Sequence, residues 1–281
     1  MVFGLSWIAQ PFYLASQLRN SPLPEPLKLY SRSYGEGHPL IILHGLLGSS
    51  GNWHTLASRV FGKSYRVIVV DQRNHGRSPH SEAFSYDAMS EDVVELMDDL
   101  AIESAHLLGH SMGGKTAMHF ALQHSERVNG LVVVDIAPVD YPHLHRKTLD
   151  ALITLNLTGF SSREQIDSAL EPSFPEASMR NFLLKGVVRG EAGFEWMFNL
   201  DAINKGYSSL MEAVLGWQPF EGPTLFVHGG KSTYVQQEHL IAIRTQFPYA
   251  EISTIEQAGH WIHSDEPDEF GKIVMSFLES V

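Results

Sequence analysis

Residues 109–113 read Gly-His-Ser-Met-Gly. The G-x-S-x-G spacing suits a serine held on a tight strand-to-helix turn, with small neighbours that let backbone approach and leave the hydroxyl standing clear. Its chemistry would be nucleophilic attack on an acyl carbon, once a base removes the hydroxyl proton. Attack builds negative charge on the carbonyl oxygen, and preorganised N–H donors must receive it. The Met112 N–H, directly after Ser111, is one candidate donor. The Leu46 N–H, in the turn His44-Gly45-Leu46-Leu47-Gly48, is the other. Each such donor contributes about 3–4 kcal/mol to transition-state stabilisation. The base and the carboxylate that orients it must come from elsewhere in the chain. His260 and Asp135 are the residues whose settings fit.

These side chains need elements that place them. The apolar run 105–110 predicts a strand directly before Ser111, and 112–124 predicts a helix directly after it. A chance pentapeptide in a loop would have neither. Strands are further expected over 27–34, 39–44, 66–71, 131–136, 224–230 and 251–259. Helices are expected over 52–61, 85–102, 236–247 and 266–281, the last with Pro267 in its first turn. Strand–helix alternation, with runs such as Val-Ile-Val-Val and Leu-Val-Val-Val, implies a mostly parallel, doubly wound α/β sheet buried on both faces. Residues 139–219 break this rhythm. They read as a strand-poor helical insertion, a lid, carrying Leu149, Leu152, Phe174, Phe182, Leu183, Phe194, Trp196 and Phe198. The core is then 27–138 and 220–281.

On His-Gly-Leu-Leu-Gly (44–48), Asp-Gln-Arg-Asn-His-Gly-Arg-Ser (71–78), Gly-His-Ser-Met-Gly-Gly (109–114) and Ala-Gly-His-Trp-Ile-His (258–263), the chain resembles the α/β-hydrolase superfamily over residues 27–281. The same stretches, with 132–141, look like the YbfF-type esterases, which implies short-chain acyl esters as substrates. The resemblance makes 71–78 a structural loop and leaves Asp71, Arg73 and His75 outside the chemistry. Dehalogenases and epoxide hydrolases of this fold carry a carboxylate where Ser111 stands.

His260 follows the last expected strand and completes the family's chain order of serine, acid, histidine. His263 is its rival; Gly259 gives the His260 loop freedom, and the resemblance places the base there. The acid is the harder assignment. The superfamily's commonest position is the loop after strand 224–230, and that loop reads Lys231-Ser232-Thr233-Tyr234, without a carboxylate. Asp135 is the replacement. It ends an apolar strand at the edge of a parallel sheet that faces the active-site crevice, and the YbfF-like branch takes its acid from this strand. Asp140 and Glu238 are weaker candidates. Gly229-Gly230-Lys231-Ser232 is no phosphate loop, because the required first glycine is Leu225.

Composition bounds the rest. The 281 residues are 43% apolar and 19% charged, enough for a sizeable core. A net charge of −12 disfavours nucleic acid and anionic membranes. Cysteine is absent, and no histidine pair finds a third ligand, so neither metal nor cofactor is expected. Residues 1–26 form an apolar arm and linker. The arm reads as a packing or homodimerising segment, a membrane-surface contact or a leader; the expected location is cytoplasmic. The pocket is expected to use His228, Trp196 and Phe198. The function these residues imply is a serine carboxylesterase acting on a small-molecule acyl ester. A thioesterase, an alcohol acyltransferase or a ligand-binding protein on the same fold are the alternatives.

Overall fold

A computed structural model describes residues 25–143 and 145–281. Nearly all of the N-terminal arm therefore lies outside the described residues. The central sheet has seven strands. In chain order these are β1 (Ser31–Tyr34), β2 (His38–Leu43), β3 (Tyr65–Val70), β4 (Ala105–His110), β5 (Val128–Val134), β8 (Thr224–Gly229) and β9 (Ala250–Ile255). Their spatial order is β1-β3-β2-β4-β5-β8-β9. β1 runs antiparallel to β3, and the other neighbouring pairs are parallel. Leu40–Leu43 and Val67–Val70 are wholly buried, as strands covered on both faces must be.

The helices are α1 (His54–Arg59), α2 (Tyr86–Asp99), α3 (Met112–Gln123), α4 (Arg146–Thr154), α5 (Arg163–Leu170), α6 (Ala177–Leu184), α7 (Leu200–Met211), α8 (Leu240–Gln246), α9 (Ile262–Asp265) and α10 (Pro267–Leu278). One face of the sheet packs on α2, α3 and the 139–219 segment through Met89, Val93, Ala117, Phe120, Leu149 and Leu183. The other packs on α1 and α10 through Leu56, Phe270, Val274 and Phe277. The last three recur at helical spacing, and each buried side chain of this size contributes about 1.5–3 kcal/mol.

Strand order places the chemistry. From β2 the chain moves outward to β3, then returns past β2 to β4. The direction of winding reverses between β2 and β4, so their C-terminal loops diverge and leave a crevice. Those loops carry Leu46 and Ser111.

Between β5 and β8 lie α4, α5, α6 and α7, together with a hairpin of β6 (Val187–Gly190) and β7 (Gly193–Trp196). The hairpin departs from the helical expectation. Gly193 turns the chain at φ 132°, where side-chain-bearing residues rarely sit, and Val187 and Phe194 bury one face of the ribbon. β1 is also shorter than expected: it starts at Ser31, and the N–H groups of Leu27 and Tyr30 before it go to Asp92 (2.6 Å) and the Ser78 hydroxyl (2.8 Å). Among the described residues, no helix is long and apolar enough to cross a membrane.

Candidate active site

Ser111 sits between β4 and α3 with φ 53° and ψ −117°, a strained conformation for a residue with a side chain. The turn is held by the Ser111 N–H on the Val134 carbonyl and the Lys115 N–H on the Ser111 carbonyl, both 3.0 Å. It is tight enough that a methyl group on Gly109 would lie 2.1 Å from the Gly113 carbonyl oxygen, and one on Gly113 would lie 2.3 Å from that of Leu43. Only glycine serves at either position. Met112 opens α3, so its N–H has no partner within the helix. Among the described residues, the Leu46 N–H is also unpaired.

The loop bearing Leu46 is braced from behind. Leu47 adopts φ 60°, and its N–H donates to His75 Nε2 (3.1 Å). His75 Nδ1 donates in turn to the Arg73 carbonyl (2.9 Å). This fixes one neutral tautomer, and burial pushes the His75 pKa down to about 3. Asp71 accepts from the Ser50 N–H (2.5 Å) and the Arg77 N–H (2.9 Å). Arg73 is bidentate to buried Asp92, with both contacts 2.6 Å. The 71–78 segment thus acts as scaffold.

Asp135 directly follows β5 at φ 51° and is fully buried. Its Oδ2 lies 2.7 Å from His260 Nδ1. The carboxylate also accepts from the Gly229 N–H (3.1 Å) and from the Ser232 hydroxyl. A buried charge is tolerable only with such partners. His260, not His263, reaches the carboxylate. His263 instead stacks on Trp53 (centroids 4.3 Å), and burial pulls its pKa down to about 3.

The His260 loop is pinned at two points. Gly259 N–H donates to Asp265 (2.9 Å), and His110 Nε2 donates to the His260 carbonyl (2.8 Å). The Tyr234 ring lies flat against the His260 imidazole, centroids 3.9 Å apart, and its hydroxyl meets His145 Nε2 at 2.8 Å. The Ser111 hydroxyl has no hydrogen-bond partner among the described residues; contacts of this kind are often long in unliganded enzymes and tighten with substrate.

Two cavities meet at Ser111. The first contains His260 and is walled by Trp53, Met179, Phe182 and Trp261. The second contains Leu46, Met112, Lys115, Tyr86 and Tyr141, and His260 is not among its lining residues. Among the described residues, no group of three His, Asp or Glu side chains is arranged to hold a metal.

A family model described as alpha/beta hydrolase fold matches residues 38–163. The chain is 43% identical to the sn-1-specific diacylglycerol lipase ABHD11 of Mus musculus, over 85% of this chain and 80% of the relative. It is 35% identical to Esterase YbfF of Escherichia coli (strain K12), over 85% and 92%. A solved marine microorganism esterase superposes with TM-score 0.87 at 38% identity, over 89% and 99%. This chain belongs to the α/β-hydrolase family.

Within this α/β hydrolase, three expected pocket residues fall elsewhere. His228 is on β8, two strands from β4, and its ring pairs outward with the Thr254 hydroxyl on β9 (2.9 Å), its direct register partner. Trp196 and Phe198 stack on each other behind the crevice, and Phe198 packs against His75 (6.0 Å). The hairpin carries them to a separate surface hollow beside Leu152 and Leu155. Met179 and Phe182 of α6, and Trp261 beside the histidine, line the first cavity instead. Sequence reasoning also missed Ser232 and Tyr234. Both lie in the loop already singled out for its lack of a carboxylate, and their hydroxyls were the available signal.

Proposed function

We propose that this hydrolase is a serine carboxylesterase of short-chain acyl esters, acting through an acyl-enzyme on Ser111 with His260 as base and Asp135 as its acid. Kinship with esterases at 35–38% identity makes the chain a carboxylic ester hydrolase. The observation that carries the finer reading is the 2.7 Å contact between Asp135 Oδ2 and His260 Nδ1, at a cavity that also holds Ser111. With Nδ1–H given to the carboxylate, Nε2 is the basic nitrogen. It takes the Ser111 proton as Oγ attacks the ester carbonyl. The oxyanion rests on the N–H groups of Leu46 and Met112. His260 then protonates the leaving alcohol. In the second half, it deprotonates a water that attacks the acyl carbon and releases the acid, returning the proton to Ser111. Asp135 stays ionised and stabilises the imidazolium.

Residues 139–219 serve as the lid in this reading, and α6 supplies its apolar lining. Transfer of the acyl group to an alcohol would use the same groups with a different acceptor. The test is hydrolysis of 4-nitrophenyl butyrate with mass-spectrometric mapping of a fluorophosphonate adduct. Label on Ser111, and loss of both label and turnover in Ser111→Ala, is expected. Turnover that survives in Ser111→Ala overturns the assignment.

A further inference from the structure

Lys115 is wholly enclosed, one helical turn past Ser111 on α3, and takes no part in the mechanism. Its ammonium donates to the carbonyls of Val139 (2.9 Å), Met211 (3.4 Å) and Glu212 (2.5 Å). These carbonyls belong to the two crossings at which the 139–219 segment leaves the sheet and returns to it. The Asp140 carboxylate joins the same two crossings by accepting from the Ala213 N–H (2.7 Å). The ammonium also lies over the rings of Tyr141 (5.0 Å) and Tyr86 (5.8 Å). All three side chains line the second cavity at Ser111.

The chemistry assigns the two cavities to the two halves of an ester. The leaving oxygen must be beside the group that protonates it, so the alcohol lies on the His260 side, in the first cavity. The carbonyl oxygen belongs to the acyl half and must face the N–H groups of Leu46, which borders both cavities, and of Met112, which lines only the second. The acyl chain therefore runs toward Lys115.

We propose that Lys115 closes the acyl subsite and limits the length of the acyl chain this enzyme accepts, the side chain being fixed in place by the carbonyls at both ends of the insertion. A longer chain would have to displace a buried ammonium from three acceptors, leaving the charge and the carbonyls uncompensated. The inference rests on the serine-esterase reading of the same site.

The test is kcat/KM of the purified full-length protein for 4-nitrophenyl acetate, butyrate and octanoate. A parallel series of acetates varies the alcohol. The wild type is expected to prefer acetate and butyrate. Lys115→Ala should raise the octanoate-to-butyrate ratio at least about tenfold, while Lys115→Met, which keeps the bulk, should move it less than about threefold. The alcohol series should keep its order in both variants. If Lys115→Ala does not fold, Lys115→Val carries the same comparison. An active wild type whose acyl profile survives Lys115→Ala or Lys115→Val within about twofold overturns this inference alone. So does an alcohol preference that shifts as far as the acyl preference, which would mean general loosening. A wild type inert toward every ester overturns the esterase reading and this inference with it.

Discussion

At the scale of single residues, the acid position separates legible chemistry from illegible support. Asp135 could be found because a carboxylate directly after Leu131–Val134 has few places to go but the end of a buried strand. Ser232 could not be found, because a hydroxyl in a loop signals nothing until its neighbour is known. Its contact with Asp135 gives a graded prediction. Asp135→Asn removes the charge that steadies the imidazolium and favours the wrong tautomer, and it should cost about 10⁴-fold in kcat. Ser232→Ala removes one donor to a carboxylate that still has the Gly229 N–H and His260. A charge-assisted hydrogen bond contributes about 1.5–3 kcal/mol, so the loss should be about 10- to 100-fold, well short of the Asn variant. Steady-state kinetics of both, with circular dichroism to confirm folding, rank them. Equal losses would give the carboxylate to structure instead of catalysis.

At the scale of elements, β4, α3 and the parallel sheet were readable because hydrophobic period and glycine spacing are local signals. The pocket wall was not, because it depends on how 139–219 folds back. Phe182 and Phe198 look equally apolar in sequence, yet α6 turns one into the crevice and the hairpin carries the other behind it. Phe198 nevertheless touches the site through His75, which holds the Leu47 N–H. The turn is thus held by a segment that contributes no reacting atom. His75→Phe would keep the buried ring but leave the Leu47 N–H unpaired, at a cost of about 1–3 kcal/mol. The turn would then shift Leu46, and displacing an oxyanion donor should lower kcat by about tenfold or more, with little change in KM. A rise in KM at constant kcat would contradict this role.

At the scale of the whole molecule, the histidines set the response to acid. His44, His75, His106, His110, His145 and His263 are all pushed below the ordinary histidine value of 6.5, mainly by burial; His75 and His263 reach about 3, His106 and His145 about 4. The unfolded chain therefore binds protons near pH 6.5 that the folded chain refuses. Above that pH the full stability is present; as pH falls toward the folded values it is lost, each group adding up to about 1.4 kcal/mol per pH unit. Asp92, raised by burial, works in the opposite direction, but as one carboxyl against six imidazoles. Urea midpoints measured from about pH 8 to about pH 5 should fall steeply below about pH 6.5. His106 isolates the effect. It lies on β4 against Tyr65 and His38, its Nδ1 has no partner, and it lines neither cavity at Ser111. His106→Phe should lessen the acid slope by close to one proton and leave ester turnover at neutral pH unchanged. An unchanged slope in that variant would move the source of acid sensitivity away from buried imidazoles.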